Sequence, residues 1–177
     1  MKINVRLNSK DISTAINQVE QYKVDLMAKL ELFVSELADI GIRVAQENIK
    51  VEYDGDILNF GNFVTFQKDV STGSEKATCI LIAEGQPYIK EWIGGSALVN
   101  PLLMAEFGSG NYAIDGWKGS FPSPTAKEHT EKPPWFWKDV DGNTHKSYGN
   151  EPSRPLYKAT VEMENQIREV AERVFST

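Results

Sequence analysis

Apolar residues fall at Ala15, Val19, Tyr22, Leu26, Leu30, Phe33, Leu37, Ile40 and Val44, always three or four positions apart. That spacing draws one stripe down one side of a helix, and from Leu26 onward it is close to a heptad. The stripe predicts a long N-terminal helix packed across a sheet, or one that also meets a neighbouring subunit. Ser9 and Asp11 are the candidate N-caps. A break near Tyr22 to Val24 would divide the helix in two. The turn chemistry of "EYDGD", residues 52–56, is expected to end it.

With 177 residues, 41% of them hydrophobic, the chain is long enough for one domain with its own core. It carries 19 basic and 25 acidic residues, a net charge of −6. That balance argues against a dedicated nucleic-acid binder, which would show a basic face. Cys79 is the single cysteine, so no disulfide can form within the chain, and in the apolar run "ATCILIA" it reads as a small buried hydrophobe. The start "MKINVRLNSKDIS" has no signal-peptide apolar region, and no run approaches the roughly 20 apolar residues of a membrane span. A soluble protein made in a reducing cytoplasm is expected.

"INVRL", residues 3–7, alternates apolar and polar as a short strand does. "NFVTFQK" alternates in the same way. "ATCILIAE" is continuously apolar and reads as a central strand, with "STGSE" as the hairpin connection between the two. "LVNPLLMAEFG", residues 98–108, reads as a short helix with Pro101 in its first turn and Gly108 and Gly110 at its end. Residues 108–155 hold six of the eight prolines, three of the four tryptophans and six of the 13 glycines. This is a long loop region with ordered pieces, and such loops are commonly functional or ordered by assembly. Within it, "WFWKDVDGNTHKSY" reads as a hairpin around Asp141-Gly142. Trp135, Trp137 and Asp139 are expected on one face, and Phe136, Lys138 and Val140 on the other. The chain closes with a helix that Ser153 is expected to cap, with Pro155 in its first turn. Leu156, Ala159, Met163, Ile167, Val170 and Val174 form its apolar stripe. Glu162 and Glu164 lie early and Arg168 and Arg173 late, which suits the helix dipole.

The chemistry-bearing residues do not assemble into an enzyme signature. The two histidines, His129 and His145, both lie in the loop-rich segment, far in sequence from Cys79, and there is no Gly-x-Ser-x-Gly elbow. "DVDGN" sets Asp139, Asp141 and Asn143 two apart, like the start of a calcium loop. Its glycine stands at the fourth position, however, and no glutamate stands at the twelfth, so the hairpin reading is preferred. There is no His-Glu-x-x-His, and two histidines cannot make a zinc site alone. "FGSGNYAIDGWKG" is glycine-rich but matches neither nucleotide-binding pattern. No enzymatic activity, cofactor or metal is expected.

Two blocks carry a family resemblance. "MAEFGSG", Met104 to Gly110, resembles the Glu-aromatic-Gly-Thr/Ser-Gly signature of a tailed-bacteriophage family. Its members are described as tail components, minor structural proteins, and head–tail joining or tail-completion proteins. "EPSRPLYKATVE", Glu151 to Glu162, resembles the family's second signature, a Pro-x-x-Pro-aromatic-aliphatic-x-x-Ala run that opens the final helix. The segment "PWFWKDVDGNTHKSYGNEPSRPLYKA" is similar to an aromatic hairpin that some members insert before that helix. The order of elements agrees too: long helix, short strands, signature glycines, loop, final helix. In this chain Ser109 stands where threonine is commoner, and the aromatic of the second signature has moved to Tyr157. "GQPYIKEWIGGSALVNPLL" has no clear counterpart.

The resemblance implies a structural virion protein without cofactors, assembled in the host cytoplasm. It would form a homo-oligomeric ring at the neck, between the head connector and the tail tube, with DNA as passing cargo. The signature residues Glu106, Phe107, Gly108, Gly110, Pro152, Arg154, Pro155 and Tyr157 are the assembly candidates, and each also has a plain reading as fold maintenance. Gly108 and Gly110 permit a sharp turn, Phe107 would anchor beneath it, and Glu106 would cap or pair locally or reach a neighbouring subunit. Pro152 and Pro155 would stiffen the corner, and Arg154 would bond loop carbonyls or a carboxylate across an interface. Trp117, Trp135, Phe136, Trp137 and Tyr148 are either an interface or a small core beneath the loop. The expected fold is a single α+β domain over residues 1–177. A small, mainly antiparallel sheet is packed by the two helices, with 108–152 as a loop-rich aromatic hairpin insertion. The alternatives are a non-enzymatic protein-binding module that uses the aromatic loop, a minor tail or capsid component, and a hydrolase with that loop as a lid.

Overall fold

A single uninterrupted helix, α1 (Ser9–Asn48), forms the axis of the fold. At about 1.5 Å per residue its 40 residues span roughly 60 Å. The computed structural model describes residues 9–53, 56–109, 135–139, 141–147, 149 and 151–176, so the strand expected at 3–7 lies outside the described residues. The helix does not break near Tyr22. It ends at Asn48, whose side-chain amide donates to the Val44 carbonyl at 2.8 Å. Of the residues expected to end the helix with turn chemistry, Glu52, Tyr53 and Asp56 instead belong to a ladder of β1 (Lys50–Tyr53) and β2 (Asp56–Asn59), and 54–55 lie outside the described residues. An Asp-Gly pair between two such strands is a hairpin signal rather than a helix stop.

After a 3-10 turn at Phe60–Asn62 come β3 (Val64–Thr72) and β4 (Ala77–Gly85). They pair antiparallel along their full lengths, and Gly73 N–H donates to Lys76 O at 2.8 Å in the connection. Then follow β5 (Tyr88–Trp92), β6 (Gly95–Val99), the short α2 (Pro101–Phe107), β7 (Trp135–Lys138), β8 (Thr144–Ser147) and α3 (Pro155–Phe175). The fold is α+β, and among the described residues the strands make four two-stranded antiparallel ladders, with β4 paired to β3. The apolar run of β4 combines a half-buried row, Cys79, Leu81 and Ala83, with Ile80, which is exposed. Cys79 is half-buried rather than fully enclosed, and burial pushes its thiol pKa up.

Helix α1 is packed by α3 and by β3 and β4. At Gly41 it is pressed between them: a Cβ there would stand 2.6 Å from Met163 Sδ of α3 and 2.9 Å from Leu81 Cδ1 of β4. α3 runs antiparallel to α1. Lys158 Nζ donates to Asn48 Oδ1 at 2.8 Å, Arg173 pairs with Glu36 at 2.6 Å, and the Phe175 and Phe33 rings lie 5.9 Å apart. On the strand side Lys68 Nζ donates to Ser35 Oγ and pairs with Asp39, and the Thr72 hydroxyl donates to Glu31. The stripe expected on α3 is buried at Ala159, Val170 and Val174, but Ile167 is exposed. A compact cluster of Ile49, Phe60, Val64, Leu102 and Ala105 closes the end of the body where α1 finishes.

Candidate assembly site

Helix α2 is only seven residues long and is held at both ends. Asn100 Oδ1 accepts from the N–H groups of Leu102 and Leu103 at 3.1 and 3.3 Å. Gly85 makes room for this cap, because a Cβ there would meet Leu102 Cβ at 2.8 Å and crowd the Asn100 side chain. At the other end Gly108 takes φ 73°, ψ −177°, a conformation suited to glycine, and its N–H donates to Met104 O at 2.9 Å.

The first signature then meets the second. Glu106 is 6% exposed, the one buried charged residue among those described. Its Oε2 accepts from Leu156 N–H at 2.8 Å and its Oε1 from Tyr157 N–H at 3.1 Å. These are the second and third residues of α3, whose amides an N-cap side chain ordinarily satisfies. The flanking residue Arg154 is left-handed (φ 54°, ψ 54°) and its side chain makes no cap bond. Pro155, buried, has no N–H to satisfy, and Lys158 N–H reaches Arg154 O at 3.0 Å. Every amide of the first turn is thereby accounted for, with the acceptor supplied by a helix fifty residues earlier. Ser153 is not the cap, because its hydroxyl lies 3.4 Å from Ala105 O, which also accepts from Arg154 N–H at 2.9 Å. Burial pushes the Glu106 carboxyl pKa up. The two amide hydrogen bonds and the nearby Arg154 and Lys158 charges hold it down only in part.

Of the remaining signature residues, Phe107, Pro152, Arg154 and Tyr157 are half-buried. Phe107 is therefore no deep anchor. Gly110, Trp117 and Tyr148 lie outside the described residues, as do the side chains of Trp135 and Trp137. Both tryptophans sit in β7, opposite Ser147 and His145, and Phe136 is 66% exposed.

The turn of the β7–β8 hairpin is organised by Asp139. Its Oδ1 accepts from Asp141 and Asn143 N–H at 3.0 and 2.8 Å, and its Oδ2 stands 2.9 Å from His145 Nε2. Gly142, with φ 87°, completes the turn, so "DVDGN" is a hairpin as expected. The His145 contact, with help from Asn143, holds the Asp139 carboxyl well below the usual carboxylate range. Among the described residues no group of three or more His, Cys, Asp or Glu could hold a metal ion, and no helix is long and apolar enough to cross a membrane. His129 lies outside the described residues.

Two apolar surfaces were not singled out from sequence. One is the β5–β6 hairpin, where Ile89 and Leu98 face each other across the strands at 65% and 72% exposure. Its signal was Gly94-Gly95 between two strand-like runs. The turn of this hairpin is tied to the β7–β8 hairpin by Ile93 N–H donating to Lys138 O at 3.1 Å. The other is the pair Ile12 and Ile16, exposed residues that lengthen the stripe already read through Ala15, Val19 and Tyr22 of α1. Comparison with protein-family models, curated proteins and solved structures finds no match.

Proposed function

We propose that the chain is a structural subunit of the neck of a tailed phage or prophage, a head–tail connector or tail-completion protein that assembles as a ring. The observation that supports this reading best is the Glu106 clamp. The two segments that carry the family resemblance, remote in sequence, lock onto each other through Glu106 and the first turn of α3. The two signatures are then understandable as one rigid corner. That corner fixes the direction of α3 and the base of the loop that enters it. The exposed apolar pairs Ile89–Leu98 and Phe136 suit a subunit that buries more surface on assembly than it does alone. A ring subunit makes heterologous contacts that close by rotation, and the net charge of −6 suits a channel that lets DNA slide.

The test is electron microscopy of the purified protein, alone and mixed with phage connector and tail-tube proteins. Closed rings seated on the connector are expected. A protein that binds neither component and forms no ring in their presence overturns the reading.

A further inference from the structure

The bare half of α1 is where the molecule is least self-sufficient. Phe175 packs on Phe33 and the Thr72 hydroxyl donates to Glu31, and just beyond them Leu26, Met27 and Leu30 are half-buried. From there the helix runs on to Ser9, and from Ile12 to Val24 its large apolar residues are exposed: Ile12 43%, Ile16 53%, Val19 54%, Tyr22 51% and Val24 62%. These residues are poor helix formers, rich in β-branched side chains, so propensity alone does not stabilise this stretch. Helices in water owe most of their stability to a packed apolar face.

Ile12, Ile16, Val19, Lys23, Leu26, Leu30, Phe33, Leu37, Ile40 and Val44 alternate in steps of four and three. Phe33, Leu37, Ile40 and Val44 of this seam are half-buried, and the same steps continue into the first half. One position is polar, Lys23, and it selects among the ways of covering the seam. Parallel pairing in register would set Lys23 of two chains against each other. Antiparallel pairing, with Ile16 of one chain facing Val19 of the other, sets Lys23 opposite Ile12 and beside Asp11, and Lys10 opposite Asp25. Sliding by a further heptad sets Asp11 against Glu31. The favoured register overlaps Ser9 to Leu26, most of which is exposed among the described residues.

We propose that the first half of α1 is a docking surface for the same stretch of a second copy of this chain. The two helices pair antiparallel about a two-fold axis between Asn17 and Gln18. Lys23 lays its aliphatic stem along the seam and carries its charge out to the solvated rim. Such a contact is isologous and closes at two subunits. It is therefore separate from any ring contact and does not depend on the neck reading.

The test uses the full chain. A nitroxide label is placed at Ala28→Cys, an exposed position off the seam, in a Cys79→Ala background. In the antiparallel register residue 28 lies 21 positions from its equivalent, about 32 Å along the axis, and a dipolar distance dominated by that offset is expected. Light scattering of Ile16→Glu/Val19→Glu is expected to give half the wild-type mass, with an unchanged helical spectrum, whatever larger assembly forms. Both positions are exposed in the monomer, so the double variant is expected to fold. A distance without axial offset, a wild-type monomer at every concentration, or an unchanged mass in the double variant overturns the pairing. So does protection of residues 9–25 in a monomer, which would mean that another part of the chain covers them.

Discussion

The two halves of α1 carry the same stripe in different surroundings. From Phe33 to Asn48 the helix lies between α3 and the β3–β4 ladder, with Ala38 and Ala45 buried and Gly41 too closely packed for a side chain. From Ile12 to Val24 the large apolar residues of the same helix are exposed. Periodicity thus reports where an apolar face lies but not what covers it. The covered half uses small residues where partners approach closely. The first half has Ile, Val and Tyr exposed among the described residues, an apolar surface of the kind that suits contact with another molecule.

Matched substitutions in the two halves break this comparison most directly. Ala45→Glu places a charge where the native residue is 0% exposed, and it is expected to cost about 3–5 kcal/mol, as unpaired buried charges do. Chemical denaturation should show a partly or wholly unfolded protein. Next in size is the corner that joins the helices. Glu106→Ala orphans two buried amides and is expected to cost about 1–3 kcal/mol. Glu106→Gln keeps one acceptor and should lose less. The pH dependence has a definite sign. Because the folded pKa of Glu106 is raised, its titration favours the folded state below the ordinary glutamate range, and that contribution is lost as pH rises through the folded value. The stability difference between wild type and Glu106→Gln should therefore move in favour of wild type as pH falls from neutral. An unchanged difference would show that burial does not govern this carboxyl.

Phe33→Ala probes the boundary between the halves. Losing the ring contact with Phe175 is expected to cost about 0.5–1.5 kcal/mol beyond the lost area, read as a lowered thermal midpoint. At the small end, Ile16→Glu should change the stability of the dilute protein by no more than about 0.5 kcal/mol. A large loss there would mean that the first half is packed within the chain after all.

The long helices were legible because their stripes repeat many times. α1 and α3 emerged from spacing, and α2 from the Pro101 start and the Gly108 stop. The β1–β2 and β5–β6 hairpins were not, because strands of four or five residues give too few alternations, and the first turn was assigned to the end of α1. The Asp139 turn was readable as a hairpin, since its signal lies within five residues. Glu106 was singled out, but its role was not visible: the amides it accepts from are fifty residues later, and nothing local says that α2 ends against α3. Ser153 looked like the cap because it occupies a favoured local position. The left-handed Arg154 and the bond to Ala105 take it elsewhere.

Hydrogen exchange along α1, at low and at high protein concentration, tests most directly the division between a half that belongs to the fold and a half that belongs to a partner. Residues 33–48 should be protected equally at both concentrations. Residues 9–25 should exchange fast in the dilute protein and slow as it associates. Equal protection of both halves in the dilute monomer, or fast exchange of residues 9–25 at every concentration, would contradict it.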